Sequence, residues 1–432
     1  MKKIFYTVIL LFISSYAFSQ SLQWHAIQNA PVDNARHEDM YFLNSNTGWI
    51  VNISGQVYKT TNGGVKFDTV SYLSYSLRSV GFLDENTGVI GALNVPNSIF
   101  RTTNGGTNWT SIPVPNTPGI CGITQIFPNT FYAVGAWSGQ GRAFKSIDKG
   151  ATWSNLNIDN NLITRIVDTY FSDADHGFVV GAKGNSSLTG LLPVVLYTSD
   201  GGISWQTRFI GTTYGYLCWK IDFRSDQFGY VSCENFSGPP AYLITTNGGM
   251  NWTYNTIPGA SDLDVEGIGF LNQSTGWLGG WGTGSGPGPT YYTTNGGVNW
   301  SNASTYGRNM NRFQFINDTL AYSIGQTVFK YSLTTDVRQI NEFIPDKFML
   351  SQNYPNPFNP STKIRFSVHE RSDASLKVYN VSGKEIVTLT DKSYQPGEYE
   401  TTFTGNDYPS GVYYAKLVSG NHSETIKMVL MK

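Results

Sequence analysis

The chain has 432 residues, with 29 Lys and Arg against 30 Asp and Glu, a net charge of −1, and 14% charged residues overall. That length allows two or three domains, and the balance of charge lacks the basic stripe with which a nucleic-acid partner would be gripped. Glycine (46 residues) and aromatic side chains (14%) are abundant, which suits strands tied by tight turns better than charged amphipathic helices.

Residues 1–20 read as a secretory signal peptide. Lys2 and Lys3 supply the positive start, Ile4 to Phe12 a short apolar run, and Ser14, Ser15, Ala17 and Ser19 the small residues before cleavage. The run falls short of the roughly 20 residues a membrane span needs, and no later stretch is long and apolar enough to span, so no transmembrane segment is expected.

From residue 21 to 335 one phrase returns six times, as in Thr102-Thr-Asn104-Gly-Gly106-Thr-Asn-Trp109. Its Asn or Asp falls at Asn62, Asn104, Asp148, Asp200, Asn247 and Asn295, a period of 42 to 52 residues. That spacing fits one four-stranded propeller blade. The Asn or Asp side chain can close a turn on the backbone N–H groups just ahead, and the glycines supply positive φ. A second phrase precedes the boxes, in which a Phe is followed six residues later by a Gly: Phe42 and Gly48, Phe82 and Gly88, Phe171 and Gly177, Phe223 and Gly229, Phe270 and Gly276.

Residues 312–332 repeat three strands and then stop without a box, whereas Trp24-His-Ala-Ile27 looks like the strand that follows a box. The expected fold is therefore a seven-bladed β-propeller closed by its N-terminal strand, with residues 22–28 lying beside 326–333. Closure of this kind removes open strand edges. In these residues the chain resembles the BNR or Asp-box propellers, particularly the Ycf48-like ones. The resemblance implies the fold. It leaves function open, because Asp boxes occur in sialidases, xyloglucan hydrolases, sortilin-type receptors and assembly factors alike.

Residues 336–349 read as a linker. From 350 to 432, short alternating strands separated by turn signals predict a small immunoglobulin-like β-sandwich, so the whole chain is expected to be all-β. Tyr354-Pro-Asn-Pro-Phe358, Val378-Tyr-Asn-Val-Ser-Gly383, Ser410-Gly-Val-Tyr413 and Thr425-Ile-Lys-Met-Val-Leu430 resemble the type A sorting domain of the type IX (Por) secretion system. That resemblance implies Sec export followed by passage across the outer membrane. It also implies handling by the type IX machinery and a sortase-like protease through residues 350–432, with the mature protein secreted or held at the outer-membrane surface.

Binding groups of a propeller belong on its innermost strands. Counting four residues back from the repeated Phe selects Glu38, Arg78, Ile123, Val167, Trp219, Glu266 and Asn311. Of these, Glu38, Arg78, Trp219, Glu266 and Asn311 are the candidate binding residues of the channel mouth, with Arg36, His37, Arg165, Asp168, Lys220, Asp264, Arg308 and Arg312 nearby. Ycf48-like propellers frequently carry Arg at such positions; here Arg78 alone keeps it. The Arg-Ile-Pro element of sialidases is absent. Hydrolysis of glycosides needs two carboxyl groups at a set separation, and Glu38 and Glu266 are the pair the blade order brings near one another.

No spacing of metal ligands stands out and no cofactor is expected. Asp262 and Asp264 read as a solvated loop rather than a calcium site. Gly279 to Pro289 lacks the Lys-Ser/Thr ending of a phosphate cradle. Cys218 and Cys233 can face each other across a hairpin, as a disulfide or as two thiols, and Cys121 is left single. The resulting expectation is a binding or structural protein rather than an enzyme, its propeller engaging a polysaccharide or a surface protein; the alternative is a secreted glycoside hydrolase of the Asp-box propeller type.

Overall fold

The computed structural model describes residues 21–27, 30–32, 36–136, 140–184, 187–236, 238–257, 260, 265–281, 288–303, 309–334, 338–341, 345–405 and 408–432. Residues 1–20, where a signal peptide is expected, together with Asp262, Asp264, Arg308 and most of the glycine-rich stretch 279–289, lie outside them. The chain divides into a unit of Gln23–Ser332 and a unit containing Leu333–Lys432.

The first unit is all-β. Seven four-stranded antiparallel sheets follow one another along the chain. Their first strands are His37–Phe42, Ser76–Phe82, Ile120–Ile126, Arg165–Phe171, Tyr216–Phe223, Val265–Phe270 and Arg312–Asn317, here blades 1 to 7. Each first strand packs on that of the next blade, and the seventh packs on the first, so the ring is closed. Ser21–Ala26 is the fourth strand of blade 7, beside Val328–Thr334, as the truncated last repeat requires. Trp24 is buried there, its ring 5.6 Å from Trp277 of blade 6, 5.7 Å from Phe313 and 5.3 Å from Tyr331.

Blade-to-blade packing explains the Phe–Gly step. The Phe ring lies directly on the Gly: a Cβ at Gly48 would meet the Phe42 ring at 2.5 Å, and one at Gly177 would meet Phe171 at 2.3 Å. Only glycine leaves room for the ring. An aromatic residue early in the second strand then stacks on the Phe of the following blade. Trp49 lies 3.6 Å from Phe82, Tyr132 3.4 Å from Phe171, and Tyr322 of blade 7 lies 3.6 Å from Phe42. Contacts of this kind bury large aromatic area between sheets and add about 0.5–1.5 kcal/mol each beyond the area term.

All six boxes fold alike. In the second, Asn104 Oδ1 accepts from Asn108 N–H (3.0 Å) and from the Thr102 hydroxyl (3.0 Å), while Thr102 Oγ1 accepts from Gly106 N–H (3.0 Å). Gly105 N–H reaches back to Asn86 O (2.9 Å) in the turn between the blade's first two strands. The Ser or Thr that opens each box therefore shares the work of the Asn or Asp. Asp148 and Asp200 sit at about 2. For Asp148, hydrogen bonds from Thr152 and Ser146 outweigh the opposing effect of burial; for Asp200, bonds from Ser204 and Thr198 are the cause.

The second unit is a sandwich of two four-stranded sheets. One contains Ser361–Val368 and Gly397–Thr404; the other contains Ser372–Asn380, Glu385–Tyr394, Gly411–Ser419 and His422–Leu430. Its core includes Phe358, Phe366, Leu376, Leu417 and Met428. Arg338–Asn341, within the expected linker, instead pairs with Gly397–Thr404 as an edge strand, because that edge still offers unpaired backbone groups. The Tyr354–Phe358 motif buries Phe358 and clips the final strand: Phe358 N–H donates to Val429 O (2.9 Å), and Met431 N–H donates to Phe358 O (2.9 Å).

Candidate functional site

In six of the seven first strands the pairing register slips by one residue at the same place. A β-bulge leaves its extra residue outside the ladder and re-aims its side chain. The bulged residues are Glu38, Arg78, Cys121, Val167, Trp219 and Glu266; Asn311 lies just ahead of the seventh strand and donates from Nδ2 to His37 O (3.2 Å). In blade 3 the bulge carries Cys121, not Ile123. Phe127, on which the count rests there, lies in the hairpin turn and is 56% exposed, and Gln125 occupies the position of the packed Phe.

The bulges gather the candidate residues but do not leave them at an open mouth: Glu38, Arg78, Trp219, Glu266 and Asn311 are all buried. Arg36 pairs with both Glu38 (3.0 Å) and Glu266, so these two carboxylates do come together, with a guanidinium between them. Arg78 takes the other oxygen of Glu38 and lies 4.9 Å over the Trp219 ring. Burial first, then repulsion from Arg36 and Arg312, pulls the Arg78 guanidinium well below its ordinary value.

The pairing continues into the next ring of residues. Arg312 reaches Glu266 (3.4 Å) and Asp39 (3.8 Å), and Lys220 reaches Asp39 (3.7 Å) and Asp168 (3.3 Å). The result is one alternating chain across the channel: Asp168, Lys220, Asp39, Arg312, Glu266, Arg36, Glu38, Arg78. Its four acids and four bases balance. Asp39 and Asp168 also staple neighbouring blades, accepting from Val80 N–H (3.0 Å) and Ile221 N–H (3.1 Å).

Beyond this plug, toward the turns that join first and second strands, the channel opens as a cavity of about 280 Å³. Its walls include Tyr41, Thr124, Tyr170, Asp222 and Gln314, all two residues beyond the charged ring. Gln314 clasps blade 7 to blade 1 through Phe42 N–H (2.7 Å) and Phe42 O (3.0 Å). Asp222 accepts from Phe223 N–H (2.8 Å) and Tyr230 OH (3.1 Å). Burial, helped by the nearby Asp168, outweighs these bonds and Arg224, and pushes Asp222 from 3.8 to about 6. Of these wall residues none was selected from sequence. The signal was the position three beyond each bulge, which is legible only once the bulges are known.

Asp222 has a measurable consequence. An acid with a raised folded-state pKa favours the fold below its unfolded value, near 4, and that contribution is lost as pH rises through about 6. Asp222→Asn is therefore expected to stabilise the propeller at pH 7.5 by about 1–3 kcal/mol, and the gain should vanish below pH 4. Urea melts across that range would show it; a gain independent of pH would refute the assignment.

Cys218 and Cys233 stand opposite each other in register as buried free thiols, their Sγ atoms 3.8 Å apart, and Cys121 is a third buried thiol. Among the described residues no group of three or more His, Cys, Asp or Glu is placed to hold a metal ion, and no helix is long and apolar enough to cross a membrane.

No curated protein matches the chain. Among solved structures it is similar to "YCF48 bound to D1 peptide" (20% identity, 72% of this chain and 99% of that one, TM-score 0.54). It is similar also to YCF48 from Cyanidioschyzon merolae (18%, 72% and 99%, TM-score 0.55), and to a GH74 xyloglucanase from Xanthomonas campestris (12%, 80% and 60%, TM-score 0.53). At these identities the likeness is one of fold. The family model for the photosynthesis system II assembly factor YCF48 matches residues 17–154 and 148–305, and that for the secretion system C-terminal sorting domain matches residues 352–431. The chain thus belongs to the YCF48-like BNR propeller family and ends in a Por-type sorting domain for type IX secretion.

Proposed function

We propose that the mature chain is an exported binding module, delivered by its sorting domain to the cell surface or the medium, whose propeller holds a ligand in the turn-side cavity of the channel. One observation carries this reading: the channel is crossed by a chain of paired charges yet opens on one side as a cavity lined by all seven blades. Concave sites with a few convergent polar groups are where ligands are held. A polysaccharide or a segment of a surface protein fits an exported propeller, and a solved relative is described as bound to a peptide.

The plug argues against a glycoside hydrolase. Such an enzyme needs one carboxyl group protonated as general acid. Glu38 and Glu266 share Arg36, and each contacts a second arginine, so both carboxyl groups are engaged by guanidinium groups and not free to reach a glycosidic oxygen.

The test is to screen residues 21–432 against glycan arrays and peptide libraries. Ligands found this way should bind roughly tenfold or more weakly to Tyr41→Ala or Tyr170→Ala, a loss of about 1.4 kcal/mol or more. Silence across both panels, or binding indifferent to both substitutions, would overturn the reading. Release of reducing sugar that Glu266→Gln abolishes would replace it with the hydrolase.

A further inference from the structure

The cavity has two rings of different electrical character. The inner ring holds Asp39, Asp168, Lys220 and Arg312, two acids against two bases, already paired with each other and with the plug. The outer ring, two residues and roughly 6–7 Å further along the strands, contains Tyr41, Thr124, Tyr170, Asp222 and Gln314. Asp222 is its only charged member. Its carboxylate is met by neutral donors, the Phe223 N–H and the Tyr230 hydroxyl.

The cations closest to Asp222 are otherwise committed. Lys220, on its own strand, points to Asp168 and Asp39. Arg224, at the start of the following turn, is bound to Leu271 O (2.9 Å) and Asp318 (2.6 Å). Asp168 and Tyr170 of blade 4, Tyr230 of the second strand and Asp226 of the following turn are the other titratable groups around Asp222 and Tyr170 among the described residues, and none is cationic. Over the five charged lining residues the count is three acids against two bases, a deficit of one positive charge.

Two half-buried tyrosine rings stand in the same wall. An organic cation is attracted both by a carboxylate and by the faces of aromatic rings, by about 0.5–2 kcal/mol per ring. A cavity of about 280 Å³ accommodates one such group and a few carbons.

We infer that the cavity takes a single organic cation, an alkylammonium or guanidinium group, placed between Asp222 and the rings of Tyr41 and Tyr170. This rests on the cavity being the ligand site and names the chemistry of what enters it. The group can belong to a small free amine or to a Lys or Arg side chain of a peptide segment.

Titration calorimetry on residues 21–432 tests it with three probes: n-propylguanidine, a capped Gly-Lys-Gly peptide, and the same peptide with its lysine acetylated. The charged probes are expected to bind at pH 7.5, and acetylation, which replaces the ammonium by a neutral amide, should weaken the peptide by about 30-fold or more. Binding should fall about tenfold from pH 7 to pH 5 as Asp222 takes up its proton. In Asp222→Asn, whose folding is expected to improve, that pH dependence should disappear and affinity should drop about tenfold or more. Binding of propylguanidine as well as the peptide would identify a small free cation as a sufficient ligand; binding of the peptide alone would identify a protein segment. Both outcomes support the inference.

Equal binding of the lysine and acetyl-lysine peptides, or an unchanged affinity in Asp222→Asn, would overturn it. A neutral oligosaccharide that binds, and is lost in Tyr170→Ala, would leave the cavity reading standing while removing the cation. Silence of every probe and of the screening panels would remove both.

Discussion

Trp24→Ala is expected to cost the propeller about 3–5 kcal/mol, in the range of buried Trp or Phe truncations. Trp24 is buried between the rings of Trp277, Phe313 and Tyr331, so its loss opens a cavity where blade 7 meets blade 6. The strand that carries it, Ser21–Ala26, is the outermost of blade 7. Removing residues 21–27 altogether should be more damaging, since the edge of Val328–Thr334 would be left unpaired and open to other chains. All 11 tryptophans precede residue 301, so their fluorescence in urea follows the propeller and not the sandwich. An unchanged midpoint in Trp24→Ala would mean that the N-terminal strand does not close the ring.

Arg312→Met should cost a comparable amount, again about 3–5 kcal/mol, through a different cause. Arg312 lies between Asp39 and Glu266, and it also donates from Nη1 to Asn311 O (2.6 Å). Without it two buried carboxylates lose a counter-charge. Adding Glu266→Gln to that variant should recover about 1–3 kcal/mol, the coupling expected of groups in one network. By contrast, Lys66→Ala breaks an exposed pair with Asp68 and should cost under about 1 kcal/mol. If Arg312→Met matched Lys66→Ala, the plug would be electrostatically idle, and its residues would have to be read as packing.

The fold was legible because each repeat carries its own mechanics. The box spells out a turn whose hydrogen bonds are local, from Thr102 to Asn108, and the Phe–Gly step spells out a ring lying on a glycine. Such local rules survive repetition, so seven blades and the closing strand could be counted from sequence. Blade 3 shows the limit. Phe127 sits at the repeat's spacing but lies in an exposed turn, because strand length varies between blades and a Phe two residues further on no longer faces the core. The edge strand Arg338–Asn341 was hidden for a related reason: it is chosen by a free sheet edge that forms only when distant residues 397–404 are in place.

The candidate site was half visible. Counting back from the Phe selected Glu38, Arg78, Trp219, Glu266 and Asn311, and these residues do converge. Which of them are paired was not readable, since Arg36, Glu38 and Glu266 meet only when blades 1, 6 and 7 are brought around the ring. The sequence by itself determined the architecture: seven blades, six of them with an Asp box, and an N-terminal closing strand, set by short-range turn chemistry and the period of the repeat, followed by a sorting domain marked by its own motifs. Only the tertiary structure decided that the arginines and glutamates pair with one another across the channel, and that Asp222, three residues beyond a bulge, stands in the cavity wall with neutral hydrogen-bond donors in place of an ion pair. Charge compensation depends on separations of a few ångströms between residues hundreds of positions apart, and ring closure sets those separations.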